Sequence, residues 1–446
     1  MKYTFSFRAI IAFLAFALSA TIPAVAAEPV PAADFIESDG VRRQIFDTWL
    51  DEELIQVMKL DTAQYTDRYE YSFVVAHERD KTGAFLAVTV TPGETAGIRG
   101  TWVLFRRVSD GMPDSIRIYP VNDPSVYVVI RPSSTNPERG RSLLDLVVMD
   151  TPTITSVPVG VPFISLYTAS FASIVGMTRS TVPWRLIAPE LYRYGDMEAT
   201  VATVRNGLKT LVYLDDGAFN ERGEPVLIET GLPQDPAQIL SARTKSNTGS
   251  DVYGGVNCSG FAKWIIDGIV RPRAGNGLFI ESLKASTASP VTHFTEPYRE
   301  TRDIFFALDW TRNLASAVVS LDVGHTVKPD FSGVDVTVEP FSGVPFYEKN
   351  VGYPAASLAP LLYYLAVTEP GHFYLGAVSR ERGKPLLRQY HHVAVFFPYF
   401  DASGKFAIAV FESAEETSMQ SFIARNGDAF VNLVRVRVPE KGYFEP

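Results

Sequence analysis

A single cysteine, Cys258, stands among 446 residues, which excludes an internal disulfide and any cysteine cluster for zinc or iron–sulfur. The chain also lacks a His-Glu-x-x-His run, a Gly-x-Ser-x-Gly elbow and a P-loop. Zinc-peptidase, serine-hydrolase and nucleotide-hydrolase chemistry therefore have no signature here. Charge is scarce, at 20% of residues, and its balance is acidic, with a formal net charge of −9. Without long Lys/Arg runs such a chain is a poor nucleic-acid binder and has no electrostatic draw toward anionic polymers. Internal repeats and low-complexity tracts are missing as well. What is present in quantity is apolar residue, 46% of the chain, enough to bury a core over two or three domains.

The first residues, MKYTFSFRAIIAFLAFALSATIPAVAAEP, carry a basic start at Lys2 and Arg8, an uncharged apolar stretch from Ala9 to Ala20, and small residues at Ala24–Ala27. This pattern reads as a secretory signal peptide, residues 1–27, cleaved near Ala27 or Glu28. An uncleaved anchor is the competing reading, although Thr21 and Pro23 interrupt a run already short for a membrane span. Cleavage removes two cations, Lys2 and Arg8, and takes the net charge from −9 to −11. An exported protein in the periplasm or cell envelope is the expectation, with no integral membrane segment once the signal is gone.

Residues 28–178 read as a β-rich domain, with cell-wall or partner binding as its expected role. Short runs such as YSFVVAH, FLAVTVTP, TWVLFRRV, SIRIYPV, VYVVIRP and LLDLVVM alternate with turn residues, the pattern of an antiparallel sandwich or barrel. Leu50–Leu60 can add a short helix. Thr151–Thr178 is uncharged for 28 residues, but its prolines and hydroxyls favour buried strands and a connection over a span. Residues 179–446 read as an α+β domain. Helices are expected near Met197–Leu208, over IFFALDWTRNLASAVVSL and over AASLAPLLYYLAV, then a run of strands, HFYLGAV, HHVAVFF, KFAIAVFES and FVNLVRVRV. Between them, GLPQDPAQILSARTKSNTGSD reads as polar and turn-rich.

Exported proteins usually pair their cysteines, so the lone thiol needs a reason. Tyr253-Gly254-Gly255 cannot propagate a helix well, and Asn257 is a good N-cap. Phe261, Ala262, Ile265 and Ile269 then share one face with Cys258, with Lys263 and Asp267 turned elsewhere. A thiol at the N-terminal tip of a helix faces unpaired backbone N–H groups, which stabilise thiolate and a developing oxyanion. In mid-helix the same residue would be packing alone.

A thiol nucleophile needs a base, and the base needs an orienting group. Of six histidines, His77, His293 and His325 lie in surroundings expected at a surface, and His372 begins a strand after Pro370-Gly371. His391 and His392 open the strand VAVFF. Alternation lets only one of the two share the inner face, and His392 falls with Ala394 and Phe396. A hairpin centred near Ala402 sets Glu412 opposite His392, unless a bulge at Pro398 shifts the register by one. Glu412 ends an apolar strand, where a carboxylate needs a partner.

These residues carry a family resemblance. YGGVNCSGF resembles the nucleophile motif of NlpC-type papain-like cysteine peptidases, with Asn257 where that family usually has Asp. Glu369–Phe373 looks like its Pro-Gly-Asp-Leu strand entry, with His372 replacing the acid, and His392-Val393-Ala394-Val395-Phe396 is similar to its histidine strand. The related CHAP amidases also have a His-Val-Ala strand. The resemblance covers about 75 residues in two pieces. It implies an α+β, papain-like NlpC-type catalytic domain at residues 179–446 after the β-rich domain. The 134 residues between Cys258 and His392 exceed the family's compact spacing, so a long insertion is expected around 283–366. The implied activity is hydrolysis of amide bonds in the stem peptides of peptidoglycan through an acyl-enzyme. Cys258, His392 and Glu412 would be catalytic, Tyr253 and Ser259 would serve substrate or oxyanion binding, and no metal or other cofactor is required. A binding or scaffold protein with a degenerate papain-like fold is the first alternative. An acyltransferase or different amidase with the same three residues is the second.

Overall fold

The computed structural model describes residues 35–93, 97–133, 140–246, 252–288, 304–384 and 386–446. The expected signal peptide and His293 lie outside these residues.

The first half of the chain folds as an eight-stranded antiparallel meander. Its strands are β1 (Ala63–Thr66), β2 (Ser72–Arg79), β3 (Phe85–Pro92), β4 (Trp102–Arg107), β5 (Pro113–Ile118), β6 (Tyr127–Pro132), β7 (Arg141–Val148) and β8 (Thr151–Pro162). Each pairs with its chain neighbour, because short turns bring consecutive strands together at little entropic cost. Alternate residues, among them Phe73, Val75, Val88, Val90, Trp102, Leu104, Ile116, Ile118, Val128, Ile130, Leu144 and Leu146, build one core. Helix Asp39–Gln44, the turn Phe46–Leu50 and helix Phe171–Thr178 contribute to the same core. Arg42 is buried within it, stacked 3.5 Å over the Trp102 ring and paired with Glu37 at 2.7 Å. Its Nε and one terminal nitrogen also reach the carbonyls of Tyr167 and Ala169, contacts that offset the cost of burying a guanidinium. Thr151–Thr178 is thus a strand, a turn and a helix. Among the described residues no helix is long and apolar enough to cross a membrane.

The first core runs along the chain to Tyr194 and takes up Tyr363, Ala366, Phe400 and Phe406 from the later part, while a second begins at Met197. The later part has short pairings, β9 (Leu211–Tyr213) with β12 (Gly254–Val256) and β10 (Gly217–Phe219) with β11 (Pro225–Leu227). Its main sheet is antiparallel, in the order β13-β18-β14-β15-β16-β17. These are Tyr353–Pro354 (β13), His372–Arg382 (β14), Leu387–Phe400 (β15), Phe406–Glu412 (β16), Glu415–Thr417 (β17) and Phe430–Arg437 (β18). Alternation on β15 sorts two cores. Val393, Val395 and Phe397 meet Phe261 of helix Cys258–Ala274 and Trp310 of helix Phe306–Val323. Ala394 and Phe396 meet Leu361 and Leu362 of helix Leu358–Thr368 and Phe422 of helix Met419–Asn426. The whole is mixed α and β, with a large antiparallel sheet first and most of the helices later.

Two local expectations change. Pro236–Ser246 is a helix, where polarity had suggested turns; Pro236 opens it and Asp235 accepts from the Ala237 N–H at 2.8 Å, the start signal that the polar composition hid. Lys263 and Asp267 do not face away from the core but are buried as an i,i+4 ion pair. The cysteine helix is enclosed on most sides: the C-terminal tail crosses it at Gly268 and the Leu278 N–H donates to Asp267 at 2.8 Å. The helix expected over IFFALDWTRNLASAVVSL is present as Phe306–Val323, and its Trp310, Leu314 and Ala315 are core residues packed with the cysteine helix.

Close packing around the cysteine helix gives a direct stability contrast. A Cβ on Gly260 would stand 2.0 Å from the carbonyl oxygen of Gly217, so Gly260→Ala forces backbone apart. Gly176, also helical, has nothing within 4 Å. Gly260→Ala is expected to cost about 3 kcal/mol or more, while Gly176→Ala should stabilise by up to about 1 kcal/mol. Urea unfolding of the two variants checks both signs.

Candidate active site

The thiol is set by its approach. Gly254 and Gly255 run where side chains cannot: a Cβ would lie 2.8 Å from the Phe219 ring at the first and 2.4 Å from Leu214 at the second. Gln234, buried, accepts from the Gly255 N–H at 2.8 Å and donates to the Gly255 carbonyl at 2.7 Å. Asn257 has an extended backbone and takes the Gly260 N–H on its side-chain oxygen at 2.8 Å, a regular N-cap. Cys258 is therefore the first residue of helix Cys258–Ala274, partly buried, at the positive end of the helix. From the other side the Trp310 indole donates to the Ser259 carbonyl at 2.9 Å.

The histidine arrives from the sheet, in a register that differs from expectation. Val395 pairs with Phe411 and Phe400 with Phe406, a hairpin centred on Ser403 instead of Ala402. Pro398 faces Ile408 inside an unbroken ladder. Glu412 thus lies opposite Ala394, diagonal to His392; a shift of two keeps both on one face, within reach of each other. The irregularity is on the other neighbour, where Val378 pairs with His392 and Ser379 with Tyr390, leaving His391 as the extra residue of a β-bulge. Strict alternation fails there, since Tyr390 and Val393 face the same core with both histidines between them. What separates the pair is environment. His391 is exposed, with its Nδ1 3.4 Å from the Gln389 carbonyl. The His392 Nε2 lies 2.7 Å from Glu412 Oε2.

A carboxylate oxygen only accepts, so Nε2 carries the proton and Nδ1 is left for the thiol. The interaction with Cys258 is mutual. Burial pushes the thiol up, but the hydrogen bond and charge of His392 bring it below the ordinary cysteine value. Burial alone would lower His392; hydrogen bonds to Cys258 and Glu412 outweigh it and push it up to about 9. Each group favours the charged form of the other. Glu412 has a further partner that sequence reading missed, Arg425 of helix Met419–Asn426, which donates to its other oxygen. Thirteen residues of strand, turn and helix separate the two, and no spacing rule links them.

The other candidates divide. Ser259 is buried, its hydroxyl 3.9 Å from the Cys258 sulfur. Tyr253 stacks on Phe219 and donates its hydroxyl to the Gly223 carbonyl at 2.8 Å, so it shapes the approach loop. His372 Nδ1 contacts the Glu369 carbonyl and His77 Nε2 the Leu60 carbonyl, neither near the thiol's partners. Among the described residues no group of His, Cys, Asp or Glu could hold a metal ion. A cleft of about 620 Å³ lies against β9, lined by Tyr213, Leu214, Asp215, Gln238, Ser241 and Glu415 among others; Cys258 and His392 do not line it. Burial raises the Tyr213 phenol, and the charges of Asp215 and Cys258 add to it.

The electrostatics predict thiol reactivity. Iodoacetamide should alkylate Cys258 at pH 6, well below the range of an ordinary thiol, because the imidazolium holds the thiolate. In His392→Ala the counter-charge is gone and burial remains, so the midpoint of alkylation rate against pH should rise by one unit or more. An unchanged midpoint would mean the histidine does not control the sulfur.

Residues 31–186 match a family model described as a domain of unknown function, DUF8515. The match spans the eight-stranded meander and its closing helices and stops before the cysteine helix. No curated protein matches the chain, and no solved structure does.

Proposed function

We propose that the chain is an exported cysteine hydrolase that cleaves amide bonds in peptidoglycan stem peptides, with its later part a papain-like domain of the NlpC type. The observation that carries the reading is one side-chain chain: a thiol at a capped helix tip, a histidine with one ring nitrogen left for it, and a carboxylate 2.7 Å from the other nitrogen. Structural cysteines are buried among apolar groups and have raised pKa values; this one is lowered despite its burial.

In this reading the Cys258 thiolate attacks the scissile carbonyl, and the first N–H groups of the helix hold the oxyanion. Collapse breaks the C–N bond, and His392 gives its Nδ1 proton to the leaving amine. The acyl group stays on sulfur as a thioester. Water then attacks, His392 Nδ1 takes its proton, and breaking the C–S bond regenerates thiolate and imidazolium. Glu412 stays ionised and keeps the ring in register. Asp215 and Glu415 in the cleft suit the ammonium groups that stem peptides carry, on a diamino acid or a free amino end.

The test is digestion of purified cell wall followed by mass spectrometry of released fragments. Wild type should release peptides newly cut at an amide. Cys258→Ala and His392→Ala should lose at least ~10³-fold in rate, and His391→Ala should stay within a few-fold of wild type. Release by the Cys258→Ala variant would end the cysteine-hydrolase reading; transfer of the acyl group to an added amine in place of water would make the protein an acyltransferase.

A further inference from the structure

Glu412 is shared. One oxygen lies 2.7 Å from His392 Nε2, and the other receives the Arg425 guanidinium. The Glu412 side chain is only 12% exposed, whereas that of Arg425 is 52% exposed and arrives from a different element, helix Met419–Asn426. That helix is fixed independently, by its Ser418 cap and by Phe422, which is buried against Phe396 of the histidine strand. The arginine also lies 3.4 Å from the Thr417 hydroxyl. A carboxylate at a strand end can rotate about its terminal bonds. With one oxygen held from the helix, the other is aimed at the ring.

We infer that Arg425 is a positioning residue for the Cys258–His392 pair: it locks the Glu412 carboxylate so that His392 keeps its Nδ1 toward the sulfur. This rests on reading Cys258 and His392 as the reacting pair. Two effects of removing Arg425 oppose each other. Loss of a cation favours the imidazolium, but that cation is half exposed and its reach to the ring is screened by solvent. Loss of the clamp frees the carboxylate whose hydrogen bond sets the tautomer and angle of the ring, a direct contact. The clamp dominates, and the thiol becomes less reactive.

Geometry makes the test specific. Arg425 and His392 both donate to Glu412, so an amide at position 412 can satisfy only one of them with its oxygen; its NH₂ then opposes the other donor. In Glu412→Gln the oxygen is drawn to the charged arginine and the NH₂ faces His392. Removing Arg425 from that variant lets the amide turn and offer its oxygen to the ring. The sign of the Arg425 effect should therefore reverse between the two backgrounds.

The experiment is the rate of iodoacetamide alkylation of Cys258 at pH 6 in the full chain, with thermal unfolding measured alongside. Arg425→Ala should slow alkylation about five- to tenfold with an unfolding midpoint close to wild type, and Arg425→Lys should recover most of the rate. In the Glu412→Gln background, Arg425→Ala should leave the rate unchanged or raise it. A wild-type rate in Arg425→Ala, or an equal loss in both backgrounds, overturns the inference. Alkylation needs no cell-wall substrate: a chain that follows this pattern yet releases no wall fragments keeps the clamp and loses the substrate reading.

Discussion

A sulfur partly buried between a helix end and a sheet takes up negative charge only beside a positive partner, and this requirement couples two elements of the later half of the molecule. Cys258 belongs to a helix and His392 to a strand, separated by 134 residues of chain. Their meeting is a consequence of one apolar layer, in which Phe261 and Trp310 pack on Val393, Val395 and Phe397. The two groups then shift each other in opposite directions, the thiol down and the imidazole up. Each shift has the other side chain among its causes, with Glu412 adding to that of the imidazole, so the electrostatics are a property of the packed interface between elements.

Around that pair the structure removes freedom wherever the chain would otherwise have it. Gln234 pins both backbone groups of Gly255, Asn257 caps the helix, and Trp310 ties down the Ser259 carbonyl. Gly260 lets the helix approach the Gly217 carbonyl more closely than any side chain permits. These contacts are buried or partly buried, where hydrogen bonds are hardest to replace with water. The Cys258 thiol is consequently held by well-fixed elements, while the cleft lined by Tyr213 is built from β9, a polar helix and the tip of β17.

The two halves of the chain are joined by packing as well as by sequence. Tyr363, Ala366, Phe400 and Phe406, all from the later half, belong to the core of the meander. Two tyrosines lock this joint in reciprocal fashion. Tyr194 donates to the Ala366 carbonyl at 3.0 Å and Tyr363 to the Leu186 carbonyl at 2.7 Å. Burial raises both phenols, which keeps them protonated as donors. Phe400 ends β15, the strand that carries both histidines, so the joint and His392 stand on one continuous strand.

Local patterns were enough to read the helix tip at Cys258, because a cap residue, two glycines and a 3.6-residue apolar spacing all act within a dozen positions. The alternating runs of the meander were legible for the same reason. Beyond that range the sequence was ambiguous. The two-residue difference in hairpin register, the bulge at His391 and the burial of Lys263 with Asp267 depend on which neighbours close around each strand and helix. Arg425 could not be assigned at all, since its meaning comes from a carboxylate thirteen positions away on another element. The sequence by itself determined which residues could be reactive, through side-chain chemistry and local backbone preference. Tertiary packing alone decided which of them meet, because hydrogen bonds and pKa shifts act over a few ångströms and only the folded chain sets those distances.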